Sequence, residues 1–321
     1  MSLDVESAPD TDSSLYRDVI RGLSRSRKEI SAKYLYDDRG SQLFNDICEL
    51  DEYYLTRTEK KLTREHADDI AAHIGSNARL IELGAGSGEK TRILLRHVHD
   101  LAAYIPVDIS GDELQRCVSR LAGEFPDTEI VPVCADYTGD WELPTNGFDG
   151  RNVFYYPGST IGNFHPERAG QFLERLSQLA GPRGALVVGV DLDKDPEIIE
   201  AAYNDSKGVT ADFTLNLLRR INRECQADFD LDNFEHRAIY QRDQKRIQTR
   251  VYSLCDQTVE FPTDRFHFDD GEYMVVEYSY KYTIEDFADL SGEAGWRTRS
   301  IWTDDDRLFS LWFLEQNGDG S

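Results

Sequence analysis

No apolar run in this chain reaches the roughly 20 residues that a membrane-spanning helix needs, which argues against an integral helical membrane protein. Positive charge is also scarce. Lysine and arginine total 36 against 60 aspartates and glutamates, a formal net charge of -24. A surface of that sign repels phosphate backbones and anionic lipid headgroups, so nucleic acid and membrane surfaces are poor partners. Such self-repulsion is costly in dilute buffer but is screened beyond roughly 3 Å at molar salt, which points to a salt-adapted, halophilic cytoplasm. An ordinary acidic enzyme is the plainer alternative, because net charge speaks to solubility rather than fold. The five cysteines, Cys48, Cys117, Cys134, Cys225 and Cys255, are scattered and never stand in a CxxC pair. Neither a disulfide framework nor a thiolate zinc site is signalled, and reduced thiols in a reducing compartment are expected. His66, His73, His97 and His99 read as helical residues at surface spacing, nothing pairs them as ligands, and no metal is expected. The first residues, "MSLDVESAPDTDSS", are acidic and polar and lack the basic end and apolar core of a signal peptide. Residues 1–14 are therefore expected to be a disordered acidic tail, and the protein to be cytoplasmic.

What is present is a change of rhythm along 321 residues, 40% of them hydrophobic, enough for a sizeable core. From Leu15 to Ile74 the apolar spacing is helical, in "GSQLFNDICEL" and in "TRTEKKLTREHADDIAAHI", the latter opening with Thr56 and Glu59 as a capping box. From Ala78 short apolar runs alternate with helical ones: "ARLIEL", "EKTRILLRHV", "AAYIPVD", "GDELQRCVSRLAGEF", "EIVPVCAD", "RNVFYYPGS", "PERAGQFLERLSQLA" and "GALVVGVDL". Repeated strand and helix units predict a doubly wound, mostly parallel sheet covered on both faces. After Asp191 come helical segments, "PEIIEAAYND" to "LNLLRRINREC". Alternating stretches "EHRAIYQRD", "KRIQTRVYSLCDQTVEF" and "EYMVVEYSYKYT" then read as antiparallel strands with one exposed face. A helix, "IEDFADLSGEAG", and two strands, "WRTRSIWTD" and "RLFSLWFLEQ", close the chain. The fold expected is α/β, with a core over 60–191 plus 286–321 and a second, smaller α/β domain from 15–59 plus 192–285.

The stretch "IELGAGSGEKTR" lies where the first core strand turns into its helix. Gly84, Gly86 and Gly88 let the backbone turn sharply and approach a ligand beside free helix N-H groups, although a tight structural turn needs the same glycines. The spacing is GxGxG, not the GxGxxG of dinucleotide binders, and Glu82 stands two residues before the first glycine. This resembles the first motif of the Rossmann-like class I methyltransferases that use S-adenosylmethionine (SAM). The resemblance implies that Glu82, Gly84, Gly86 and Gly88 bind the cofactor. Asp108, closing the second strand, would accept the ribose hydroxyls, and Asp136, after the third, would hold the adenine amino group with Tyr137 beside the ring. Each acid taken alone is equally a helix cap or loop residue. Lys90, in the first turn after the loop, would aid the cofactor's carboxylate or be solvated.

Four blocks, "KYLYDDRGSQLFNDICELDEYYLTR", "ELGAGSGEKTR", "YYPGSTIGNF" and "VVEYSYKY", together with "AAYND", resemble the histidine-specific N-alpha-methyltransferases that make hercynine for ergothioneine biosynthesis. That family pairs a methyltransferase core with a small α/β substrate domain, as the element order suggests. The resemblance implies that Asn163 grips the substrate's α-amino and carboxylate head, with Gly158 and Thr160 in the same loop. Its amide oxygen and nitrogen suit both groups, although a turn asparagine is an alternative. Tyr53 and Tyr203 would bond the carboxylate, and Tyr36 and Phe44 would line the pocket near the methyl group, where tyrosines otherwise serve as packing. Tyr36 and Asn163 are the candidate catalytic residues. Glu277 and Ser279 stand two apart on a strand and so share a face, where they would bond the two imidazole nitrogens, unless that face is simply a polar exterior. The family carries a methionine against the imidazole where this chain has Thr249, and the residues before Gly158 also differ. His165 reads as a helix-entry residue rather than a base.

The reaction implied needs the acceptor nitrogen about 3 to 3.5 Å from the methyl carbon, and neither a metal nor a covalent enzyme intermediate. The resemblance implies three successive transfers to L-histidine by an enzyme acting on a small molecule, expected as a monomer. Another aromatic amino acid such as tryptophan, or an indole derivative, is the alternative acceptor. The Glu277 and Ser279 pair argues against it, because an indole has one N-H and no acceptor nitrogen.

Overall fold

The computed structural model describes residues 13–317 apart from 87, 140 and 145–147, and the chain divides into two compact units. Unit 1 takes the described part of Met1–Tyr53 with Asp195–Ser279, and unit 2 takes Tyr54–Lys194 with Tyr280–Ser321. Of the expected tail, residues 1–12 lie outside the described residues. Ser13 and Ser14 begin a helix instead, because the Ser13 hydroxyl accepts the Tyr16 N-H and caps it.

Unit 1 opens with α1 (Ser14–Leu23) and α2 (Asp38–Cys48). Unit 2 follows with α3 (Tyr54–Glu65), α4 (Ala67–Ile74), β1 (Ala78–Leu83), α5 (Glu89–Leu95), β2 (Ala103–Asp108), α6 (Gly111–Glu124), β3 (Val133–Cys134), β4 (Arg151–Tyr156), α7 (Pro166–Ala180) and β5 (Ala185–Asp191). The chain returns to unit 1 for α8 (Pro196–Tyr203), α9 (Val209–Cys225), β6 (Phe234–Gln241), β7 (Arg246–Ser253), β8 (Gln257–Glu260), β9 (Arg265–Phe268) and β10 (Tyr273–Tyr280). It finishes in unit 2 with α10 (Ile284–Glu293), β11 (Trp296–Thr303) and β12 (Phe309–Gln316).

Among the described residues of unit 2, seven strands form one sheet in the order β11-β12-β5-β4-β1-β2-β3. Strands β1 to β5 pair in parallel, and β12 runs antiparallel to both β5 and β11. Every residue of β1 and β5 is buried, as expected where helices cover both faces. The strand order reverses between β1 and β4, and the loops that leave their carboxyl ends flank the crevice where ligands bind in sheets of this kind. In unit 1, β6 and β7 pair antiparallel within a three-stranded sheet ordered β10-β7-β6, α8 and α9 pack on it, and α2 packs on α9.

Several expectations are corrected. The helix read from Thr56 to Ile74 is two helices broken at His66, and α3 starts at Tyr54. Thr56 and Glu59 are therefore interior and buried, and no capping box forms. The stretch "EIVPVCAD" yields only Val133–Cys134 as strand plus a bridge from Ile130 to Tyr104, since Pro132 has no N-H to give the ladder. "KRIQTRVYSLCDQTVEF" is two strands, β7 and β8. Central β7 buries most of both faces instead of leaving one to solvent, and β9, unforeseen, pairs with β8. His97 and His99 lie beyond the end of α5, while His73 tucks its Nε2 2.8 Å from the Ser300 hydroxyl.

At the end of β5 the buried Asp191 carboxylate meets Lys281 at 2.7 Å, Lys194 at 2.6 Å and the Tyr54 hydroxyl at 2.9 Å. Burial alone would raise this carboxyl, and the two ammonium groups reverse the sign and hold it below its ordinary range. Asp191→Asn leaves two buried cations facing each other without an anion, and chemical denaturation should show a loss of about 3–5 kcal/mol.

Candidate active site

The loop after β1 has positive φ at Gly84, Gly86 and Gly88, a backbone that side chains with a Cβ rarely adopt. Asp108, at the end of neighbouring β2, accepts the Gly86 N-H at 3.1 Å through Oδ2 and the Ser110 N-H at 2.9 Å through Oδ1. The acid expected to meet the ribose therefore shapes the loop itself. Glu82 is 2% exposed and takes a short hydrogen bond from the Tyr104 hydroxyl, so it supports the loop from inside the sheet. Burial pushes its carboxyl up to about 7. Asp136 accepts the Thr138 N-H at 2.9 Å, and the Tyr137 ring packs edge-on to Tyr156 with a centroid separation of 5.8 Å. Lys90 is neither solvated nor directed only at a ligand, because its ammonium pairs closely with the buried Glu59 carboxylate. Ile109, directly after Asp108, was not singled out from sequence and stands 54% exposed, an apolar side chain left in solvent at the carboxyl edge of the sheet.

The loop after β4 is pinned at almost every residue. The Gly158 N-H, on a residue with φ 83°, lies 2.8 and 2.9 Å from the two Glu59 oxygens. The Ser159 hydroxyl accepts the Asp191 N-H at 2.9 Å, and the Thr160 hydroxyl donates to the Pro157 carbonyl at 2.9 Å. At Gly162 a Cβ would stand 2.5 Å from the Tyr280 carbonyl oxygen, so only glycine fits. Thr160–Asn163 forms a single 3-10 turn, which leaves Asn163 half-buried at its end. His165 follows as an exposed helix-entry residue with its ring edge-on to Tyr280.

Unit 1 gathers the expected aromatic residues. Tyr36 meets Phe44 at 5.5 Å between centroids, Phe44 meets Tyr53 at 6.3 Å, and Tyr53 meets Tyr203 at 6.2 Å. Phe213, from α9, joins Tyr36 at 5.4 Å and was not singled out from sequence. The Tyr203 hydroxyl lies 2.8 Å from the Ser279 hydroxyl, so the residue expected at the carboxylate also orients one of the two ring-reading groups. Thr249, 2% exposed, donates to Glu277 Oε2 at 3.4 Å. The departure from the family's methionine thus places a second polar group beside the acid. His236, also missed, sets its Nε2 2.9 Å from the Tyr203 carbonyl, and its buried Nδ1 has no hydrogen-bond partner. Burial lowers the pKa of this ring and favours its neutral form. All five cysteines are free thiols.

A family model described as histidine-specific methyltransferase, SAM-dependent, matches residues 15–316. The chain belongs to this family. Among relatives, the histidine N-alpha-methyltransferase of Mycolicibacterium smegmatis is 38% identical over 302 residues, covering 92% of this chain and 93% of its own. That of Mycobacterium tuberculosis is 37% identical over 311 residues with the same coverage. Ergothioneine biosynthesis protein 1 of Neurospora crassa is 31% identical over 285 residues, which cover 86% of this chain and 32% of that longer protein. This histidine methyltransferase has the α/β class I fold, and its cofactor is SAM. The residues present fit it: a glycine loop open enough that a Cβ at Gly86 would meet nothing within 4 Å, an acid at the end of β2, and an exposed apolar side chain beside it. No described helix is long and apolar enough to cross a membrane.

Because the folded Glu82 carboxyl lies above its unfolded value of about 4.5, its contribution to stability is fully present below that pH and lost as pH rises through about 7. Glu82→Gln should remove that loss. The variant's stability relative to the parent should therefore increase by about 2 kcal/mol between pH 5 and pH 8 in urea unfolding, and a flat difference would contradict the burial argument.

Proposed function

We propose that this enzyme methylates the α-amino nitrogen of L-histidine three times, giving trimethylhistidine (hercynine) for ergothioneine biosynthesis, and that it works as a cytoplasmic monomer in a salt-adapted cell. The observation that carries the choice of acceptor is the polar set on β10 and β7. Glu277, which takes the Thr249 hydroxyl on Oε2, is the acidic member of that set and would accept an imidazole N-H. Ser279, fixed by Tyr203, offers its hydroxyl to the second ring nitrogen. A side chain without two ring nitrogens cannot meet both groups, and sites that read a substrate by hydrogen bonds discriminate by roughly 10⁴-fold or more.

The cofactor supplies a methyl group on a sulfonium. Gly84, Gly86, Gly88, Asp108, Asp136 and Tyr137 would hold it, with the apolar Ile109 against its base. The chain's own task is positioning. Asn163, fixed at the end of its turn, takes the α-amino group through its amide oxygen and a carboxylate oxygen through its amide nitrogen. Tyr53 and Tyr203 hold the carboxylate. The amine must be neutral to attack, and removal from water favours that form. Tyr36 carries the leaving proton towards solvent through its hydroxyl. With each transfer the head grows more bulky and finally keeps a permanent charge, which the faces of Tyr36, Phe44 and Tyr53 accommodate as cation–π partners.

Incubation with SAM and L-histidine at high salt should give mono-, di- and trimethylhistidine by mass spectrometry, and in competition tryptophan should yield little product. Methylation of the ring, or a preference for tryptophan, would overturn the reading. Asn163→Ala should lower kcat/KM for histidine by about 10²-fold through loss of a buried polar contact to the reacting head.

A further inference from the structure

Glu59 lies on α3, 99 positions before the turn it contacts, and it is completely buried. Its two oxygens receive the Gly158 N-H, and Oε2 also pairs with Lys90, in the first turn of α5 directly after the cofactor loop. Two glycines clear its place. A Cβ on Gly189 would stand 2.3 Å from Glu59 Oε1, and one on Gly158 would stand 3.3 Å from the Lys90 ammonium. Burying a carboxylate to satisfy one backbone N-H is a costly choice where a neutral amide would do. What the charge adds is a second, cationic partner on another element. We propose that Glu59 and Lys90 are a positioning pair for methyl transfer, which ties the helix behind the cofactor loop to the turn that holds the acceptor.

The pair touches neither the methyl donor nor the acceptor; it acts through the Gly158 backbone on the turn that ends at Asn163. A glutamine at 59 can still accept the Gly158 N-H through its amide oxygen but cannot neutralise Lys90. Its amide is free to rotate away, so the turn loses its fixed place while its covalent structure is unchanged. The inference rests on the reading that the Gly158–Asn163 turn holds histidine.

The test is steady-state kinetics on the full-length enzyme for Glu59→Gln, Lys90→Met, the double variant and Asn163→Ala, with thermal melting followed by circular dichroism and S-adenosylhomocysteine affinity measured by calorimetry. Glu59→Gln should raise the histidine KM by about tenfold and lower kcat by less, while S-adenosylhomocysteine affinity stays within about threefold. Lys90→Met should move the histidine KM in the same direction, and the double variant should be no worse than Glu59→Gln alone, because one link is broken in either case. A histidine KM unchanged in Glu59→Gln, with only the melting temperature lowered, would reduce the pair to a structural role and overturn the proposal. Multiplying losses in the double variant would also overturn it. Should Glu59→Gln not fold, Lys90→Met decides alone: a raised histidine KM supports the pair and an unchanged one refutes it. If Asn163→Ala also leaves the histidine KM unchanged, the acceptor reading of the turn fails; if it raises KM and Glu59→Gln does not, only the positioning pair fails.

Discussion

Strand β1 lies in parallel between β2 and β4, with Leu80 opposite both Tyr104 and Val153. That pairing sets the direction in which three loops leave the sheet. The glycine loop leaves β1, Asp108 ends β2, and the turn to Asn163 leaves β4, all at the carboxyl edge. The strand order reverses here, so helices on opposite faces diverge and open a crevice without any residue dedicated to making it. Asp108, proposed to hold the ribose, also accepts the Gly86 N-H and so shapes the loop beside it.

Charge is distributed in two opposite ways. The chain as a whole carries 60 acidic residues against 36 basic ones. Inside unit 2, however, acids are matched with bases: Glu59 with Lys90, and Asp191 with Lys194 and Lys281. Buried ions add little net stability over apolar packing, but they are directional and strongly penalise a missing partner. Both of these clusters end on the same turn, through the Gly158 N-H and the Ser159 hydroxyl. A methyl transfer that depends on placing one nitrogen in line gains from a turn held at successive residues. Unit 1 applies the same device with hydroxyl donors, where Tyr203 orients Ser279 and Thr249 occupies one oxygen of Glu277.

The order of strands and helices, and the motifs at strand ends, could be read from local pattern because a buried parallel strand needs a continuous apolar run and a ligand loop needs its glycines. Two of the misreadings share one cause, the tertiary setting of the segment. Thr56 and Glu59 match a capping box letter for letter, yet α3 begins two residues earlier and tertiary contacts claim the glutamate. Alternation along β7 suggested a solvent face, but a central strand with β6 and β10 on either side is covered. Pro132 broke a strand whose hydrophobicity looked sufficient, and this was visible in the sequence had the missing N-H been given its weight.

Residue types and spacing were enough to settle the excess of acidic charge, the class of the core sheet and the place of the glycine loop, and to name candidate side chains for the cofactor and the acceptor, since these depend on neighbours a few positions away. The partners of those side chains were not. Glu59 reaches Gly158 across 99 positions, Tyr203 reaches Ser279 across 76, and Tyr54 reaches Asp191 across 137. Nothing local distinguishes such an acid from a helix cap or such a tyrosine from packing. Only folding brings a carboxylate to the one N-H and one ammonium that give it a role, because burial and charge pairing are properties of a place and not of a residue.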